Sequence, residues 1–149
     1  NTGLARQIDK NAPLELVKHA VEAGLVLQPG HQQKSMNICM CCGCCCGILK
    51  NLKTMDKPAQ LVHTNYYAQV DEEACIACEA CVDRCQMDAI TVDESAQVNL
   101  ERCLGCGLCV TDCPTDAMLL KQKAEDSHYV PPRNVFETYM NIAQERGLV

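Results

Sequence analysis

A chain of 149 residues with fourteen cysteines, one phenylalanine, four tyrosines and no tryptophan cannot fill an ordinary aromatic-anchored core, so something bound is expected to replace part of it. The formal charge of −6 excludes an extended nucleic-acid contact, because too few cations remain to neutralise phosphates. No apolar run approaches the ~18 residues of a bilayer-spanning helix, so no transmembrane segment is expected and a soluble or peripheral protein is.

In chain order, Asn11 reads as an N-cap with Pro13 tolerated in the first turn, Leu14, Val17 and Val21 share one face, and Gly24 supplies a stop. Residues 25–27 are extended, and Gln28, Pro29, Gly30 and His31 make a turn. A cysteine-dense segment, 39–47, leads into a helix-like stretch at 48–52, and Pro58 separates that from Tyr66 and Tyr67, which are placed to shield bound metal from water. Residues 70–92 and 98–120 then read as two copies of one unit: short strand, loop, short helix, short strand. A polar linker ends at Pro131 and Pro132. A last helix is expected from about Asn134 to Arg146, with Asn134 and Glu137 as a capping box and Gly147 beyond its end. Its stripe of Val135, Tyr139 and Ile142, with Phe136 and Met140 beside it, is expected to pack on the central module or the first helix, or else to clasp a partner subunit.

The cysteines carry the chemistry. Cys75, Cys78, Cys81 and Cys85 have the spacing C-x2-C-x2-C-x3-C, and Cys103, Cys106, Cys109 and Cys113 repeat it 28 positions later, followed by Pro114. Three thiols two residues apart can wrap one inorganic centre from a single tight loop, and two complete runs leave little room for chance. Adjacent cysteines make a poor disulfide framework and no signal-peptide pattern is seen, so a reducing cytoplasm is expected; the chain begins at Asn1, without methionine, which is consistent with an upstream part having been lost. Six more cysteines lie at 39–46. Cys39, Cys42 and Cys45 form a third C-x2-C-x2-C, and with Cys46 they are candidate ligands of a third cubane, Cys41 and Cys44 being alternates. Zinc is the structural alternative, and dithiol chemistry a third. Of four scattered histidines, His31 is a conceivable ligand, but surface histidine is the simpler expectation. Glu72, Glu73, Glu79, Asp83, Asp112 and Asp116 read as solvated surface that suits a basic partner. No phosphate-binding glycine loop or nucleophile elbow is present.

The two runs resemble those of bacterial two-cluster ferredoxins over about residues 70–121. The resemblance implies an α+β fold: a ferredoxin-like pseudo-twofold module, here with an N-terminal helical, cysteine-rich arm and a C-terminal helix. It implies that Cys75, Cys78, Cys81 and Cys113 hold one [4Fe–4S] cluster, and that Cys103, Cys106, Cys109 and Cys85 hold the second. The fourth cysteine of each run is expected at the start of a short helix, facing the other cluster. Gln86 departs from the family, which usually has proline there. A wider likeness, through residues 23–30, 38–49, 65–68, 85–90 and 142–147, is to ferredoxin-type iron–sulfur proteins of anaerobes. The expected organisation is an arm over 1–62, a two-cluster domain over 63–121, and a linker and helix over 122–149. The expected function is one-electron transfer without catalysis of its own, as a relay subunit or domain of a larger anaerobic oxidoreductase that supplies the redox partner. The alternative is a reductase whose site is the 39–46 segment.

Overall fold

Three separate two-stranded antiparallel sheets organise the chain; the computed structural model describes residues 3–149. Helix α1, Ala12–Glu22, leads into a hairpin of β1, Val26–Pro29, and β2, Ile38–Cys41, in which Val26 faces Cys41. Helix α2, Gly47–Lys53, and a single 3-10 turn at Pro58–Gln60 complete the N-terminal part. Then come β3, Tyr66–Val70; α3, Ala80–Arg84; β4, Ile90–Val92; β5, Ala96–Val98; α4, Leu108–Thr111; and β6, Met118–Gln122. The two remaining sheets pair β3 with β6 and β4 with β5, so the first strand of this region closes on its last. Helices and small sheets are mixed, as an α+β class requires. Among the described residues no helix is long and apolar enough to cross a membrane.

The N-terminus of α1 is held differently from the sequence expectation. Asn11 already has helical backbone angles, and its side chain makes no cap bond. Asp9 instead accepts from the amides of Asn11 and Ala12, at 2.8 and 2.9 Å, and these bonds hold its carboxyl below the usual range. The expected apolar face is thin as well: Ala20 is buried, whereas Leu14 is largely exposed.

Two apolar clusters form the core. One gathers Val26, Leu49 and Leu52 from the N-terminal part with Met87, Ala89 and Leu108 from the cysteine repeats. The other, Ala68, Cys81, Ile90, Ala96, Cys109 and Met118, lies within the repeats and contains two of the cysteines. Neither contains an aromatic ring.

Two arginines join the parts through backbone carbonyls. Arg84 donates to the carbonyls of Val21 and Glu22 at the C-terminal end of α1, where a cation also meets the negative end of the helix dipole. Its Nε lies 2.8 Å from Asp112 Oδ2, an ion contact in which the N–H does not point along the line to the oxygen. Arg102 does the same at α2, donating to Lys53 at 3.1 Å, Met55 at 2.8 Å and Met87 at 3.1 Å. Three charge-assisted bonds on a half-buried group leave orphan carbonyls when removed. Arg102→Ala is expected to lower unfolding stability by about 2–4 kcal/mol, read from denaturant midpoints of the anaerobic protein. A loss under 0.5 kcal/mol would show that water replaces the guanidinium without cost.

The last helix, α5, spans Val135–Glu145. Asn134 caps it, its Oδ1 accepting from the Glu137 amide at 3.1 Å, while the Glu137 carboxylate reaches the amide of Arg133 at 2.8 Å, one residue earlier than a strict capping box. The stripe does not pack down as one of the two expectations held. Phe136 and Tyr139 are largely exposed, and no residue of α5 is buried. Its link to the body is polar, from Thr138 Oγ1 to the His31 carbonyl at 3.4 Å.

Candidate metal centre

The two cysteine runs have one backbone design. Ala77, Glu79 and Asp88 have left-handed φ angles of 51°, 64° and 51°. Gly105, Gly107 and Asp116, each 28 positions later, have 64°, 81° and 55°. Left-handed residues between successive cysteines curl each loop around its own centre. At Gly105 the curl brings the loop onto β3: an added Cβ would lie 2.1 Å from the Tyr66 carbonyl oxygen.

Each run then turns into a one-turn helix. Cys81 lies in α3 and Cys109 in α4, while Cys85 and Cys113 follow those helices. The fourth cysteine therefore stands at the C-terminal end of the short helix and not at its start. At Cys85 the chain has become extended, with ψ of 105°, which turns the side chain away from its own run.

Two cavities result. One, of about 320 Å³ counting its open mouth, is lined by Cys75, Cys78, Cys81 and Cys113. The other, of about 380 Å³, is lined by Cys85, Cys103, Cys106 and Cys109. Each takes three thiols from one run and one from the other. Neither Tyr66 nor Tyr67 lines either cavity; Tyr66 instead lies against the outside of the Gly105 loop, and Ala68 of the same strand lines the second cavity.

Backbone amides point at the sulfurs in matched pairs. The Ala96 amide donates to Cys75 Sγ at 3.4 Å, and the Ala68 amide to Cys103 Sγ at 3.5 Å. The Ala89 amide donates to Cys85 Sγ at 3.3 Å. Amides of Met118, Thr115 and Ala117 hold Cys113 below the ordinary thiol range against the opposing effect of burial. In the second cavity burial pushes the Cys109 thiol up to about 12, with the nearby charges of Cys106, Cys103 and Cys85 adding to it. Burial likewise raises Cys81, with Cys78, Cys75 and Cys113 as its charged neighbours. Buried thiols such as Cys81 and Cys109 resist ionising unless a cationic centre sits beside them.

Residues 68–120 match the 4Fe-4S dicluster domain family. No curated protein matches the chain. Over that segment the chain is similar to ferredoxin-type iron–sulfur domains, and the match points to [4Fe–4S] clusters as cofactors and to electron transfer as their chemistry. The residues fit that cofactor, since four soft sulfur donors and inward-facing amides line each cavity.

Outside the dicluster domain, the 39–46 segment begins within β2 and runs on into the loop before α2. Its glycine packs against the domain: the Gly43 amide donates to Gln86 Oε1 at 2.7 Å, and a Cβ at Gly43 would lie 2.9 Å from the Gln86 carbonyl oxygen. Gln86 Nε2 in turn donates to the Gly24 carbonyl at 3.0 Å. Where the resembling family has proline, this chain thus uses a side chain to tie the end of α1 and the cysteine segment to the residue after Cys85. Gln86→Ala is expected to cost about 1–3 kcal/mol and to quicken protease cleavage within 24–46, while iron content stays at the parent level. Unchanged cleavage would mean the apolar cluster alone holds the segment.

The six cysteines of this segment are not used alike. Sγ atoms of Cys42, Cys44 and Cys45 all lie within 4.8 Å of one another, Cys42 to Cys44 at 2.8 Å and Cys44 to Cys45 at 3.3 Å. The Cys44 thiol, then the Cys45 amide, hold Cys42 down to about 7. Cys39 stands apart on β2, accepting from Asn37 Nδ2 at 3.6 Å. Cys41 is pushed up to about 11, by burial first and then by Cys46 beside it. Cys46 precedes α2 and is lowered chiefly by the Leu49 amide. The three sulfurs that converge are thus those of Cys42, Cys44 and Cys45, with Cys44 and Cys45 exposed.

His31, weighed above as a ligand, instead bonds through Nε2 to the Tyr129 hydroxyl at 3.0 Å, and His63 stacks on the same ring at 4.1 Å. These rings hold the linker against the hairpin turn, together with Gln33, whose amide donates to the Pro132 carbonyl at 2.8 Å. The sequence carried no signal for Arg84 or Arg102, and marked Gln86 only as standing where the resembling family usually has proline. The alanine donors were findable, because Ala68 and Ala96 recur at the same 28-residue offset as the cysteines.

Proposed function

We propose that this protein is a two-cluster electron relay, working as a subunit or domain of a larger oxidoreductase in an anaerobic cytoplasm. Cys75, Cys78, Cys81 and Cys113 hold one [4Fe–4S] cluster and Cys103, Cys106, Cys109 and Cys85 the other, in a pseudo-twofold module covering 63–121, between an arm over 1–62 and a linker and helix over 122–149. The observation that carries this reading is the crosswise division of eight thiols between two cavities. The 28-residue offset shared by the left-handed positions and the amide donors supports the pseudo-twofold relation.

When bound, each cluster supplies one-electron exchange with little nuclear rearrangement. The chain holds the sulfurs at fixed positions, directs amides at them and keeps water off through Leu108, Met118 and Ile90. The interlocked ligands keep the two sites at one separation. The acidic surface suits a partner with a basic face.

Anaerobic iron and acid-labile sulfide analysis, followed by reductive titration, tests this. About eight irons in cubanes and two electrons accepted per chain are expected. Protein that holds four irons or fewer after full reconstitution, or takes up no electrons, overturns it.

A further inference from the structure

Among the described residues, Cys42, Cys44 and Cys45 are the one group of three metal-type ligands whose donor atoms all converge within 4.8 Å. The dicluster cysteines form no such threesome, although each set of four surrounds one cavity. The contrast has a chemical meaning. A cubane binds each thiolate through a different iron and so keeps its sulfurs spread by the width of the cluster. A single ion draws every sulfur to one bond length; for tetrahedral zinc, with Zn–S near 2.3 Å, the sulfurs stand about 3.8 Å apart. The trio, with neighbouring sulfurs at 2.8 and 3.3 Å and all three within 4.8 Å, is drawn even closer than that and lies far from the spread a cluster imposes.

The ligand count is the second point. Cys39 faces Asn37, and Cys41 and Cys46 face each other, so no fourth thiol of the segment joins the trio. Cys44 and Cys45 are exposed, which leaves the remaining side of the group open to solvent. Three protein ligands with a free fourth position describe a metal site able to bind an outside ligand, unlike a closed structural site. The loop is also braced, since the Gly43 amide and backbone are seated on Gln86 of the dicluster domain.

We propose that Cys42, Cys44 and Cys45 bind one thiophilic divalent cation of the zinc type, and that its fourth position takes a small thiol in place of water. On binding, the thiol gives its proton to solvent, a metal–sulfur bond forms and the metal–water bond breaks. No electron moves. The site shares no cysteine with the two clusters, so it replaces the expected third cubane without depending on the dicluster assignment.

The test uses the full chain, purified without oxygen from zinc-supplemented cells and holding its clusters. Elemental analysis is expected to give about one zinc beside about eight irons. Zinc-edge X-ray absorption is expected to show three sulfur neighbours and one lighter atom, changing to four sulfurs when 2-mercaptoethanol is added. Cys44→Ser is expected to weaken zinc binding by about a hundredfold or more, whereas Cys39→Ser leaves it unchanged. About twelve irons with no zinc would overturn the proposal. So would failure to take up added zinc, four sulfur neighbours before any thiol is supplied, or equal zinc loss in both variants. Iron content reads the cluster assignment and zinc reads this one, so the two can fail separately.

Discussion

Replacing Cys113 by alanine is expected to strip iron from the site of Cys75, Cys78 and Cys81, and to leave the site of its own run intact. The loss is about four irons of eight. The reason is local: α4 ends before Cys113, whose thiol lines the far cavity and receives amides from 115–118. Pairing the substitutions identifies which iron has gone. Cys78→Ala added to Cys113→Ala should remove nothing further, whereas Cys106→Ala added to it should empty the chain. Cys85→Ala should give the mirror result. If Cys113→Ala and Cys106→Ala remove the same iron, the crosswise arrangement is wrong and each run serves its own cluster.

Gly105→Ala is the other large effect. A methyl group there would meet the carbonyl oxygen of Tyr66 at 2.1 Å and its carbon at 2.6 Å, both backbone atoms of a paired strand, and the residue has a φ of +64°. Strain at a left-handed position and overlap with backbone combine to roughly 3–5 kcal/mol. The loop of Cys103, Cys106 and Cys109 must shift, so a lowered unfolding midpoint and release of the second site's iron are expected together. The first run supplies its own control. Ala77 already occupies the equivalent left-handed position, so Ala77→Gly should relieve strain and stabilise by about 1 kcal/mol. A Gly105→Ala protein with parental stability and iron would mean that β3 yields freely and does not shape the loop.

Much of the site was legible because ligand spacing is a local property. The two runs, their offset and the strands around them follow from residues only a few positions apart, and α1, α2 and α5 lie close to where punctuation by Pro13, Gly24, Pro58 and Gly147 put them. The errors came where a residue's partner is far along the chain or its own backbone angle decides. Asp9 outcompeted Asn11 because Asn11 had already entered helical geometry. The α5 stripe was read as packing on the body or clasping a partner, and only the first fails, because hydrophobic periodicity says only that a face is apolar; here the linker is held by ring stacking and polar bonds instead.

The amino-acid order alone settled that eight thiols would come in two repeated runs, because the loops that present them are built from neighbours. Which cavity each fourth thiol enters, and which three of the six remaining cysteines meet, was decided only when the chain closed on itself. Cys85 is redirected by the extended turn after α3, and the Gly43 loop is seated by Gln86, a residue 43 positions away. Spacing specifies what a segment can wrap; the direction in which a side chain finally points depends on backbone contacts made across the whole fold.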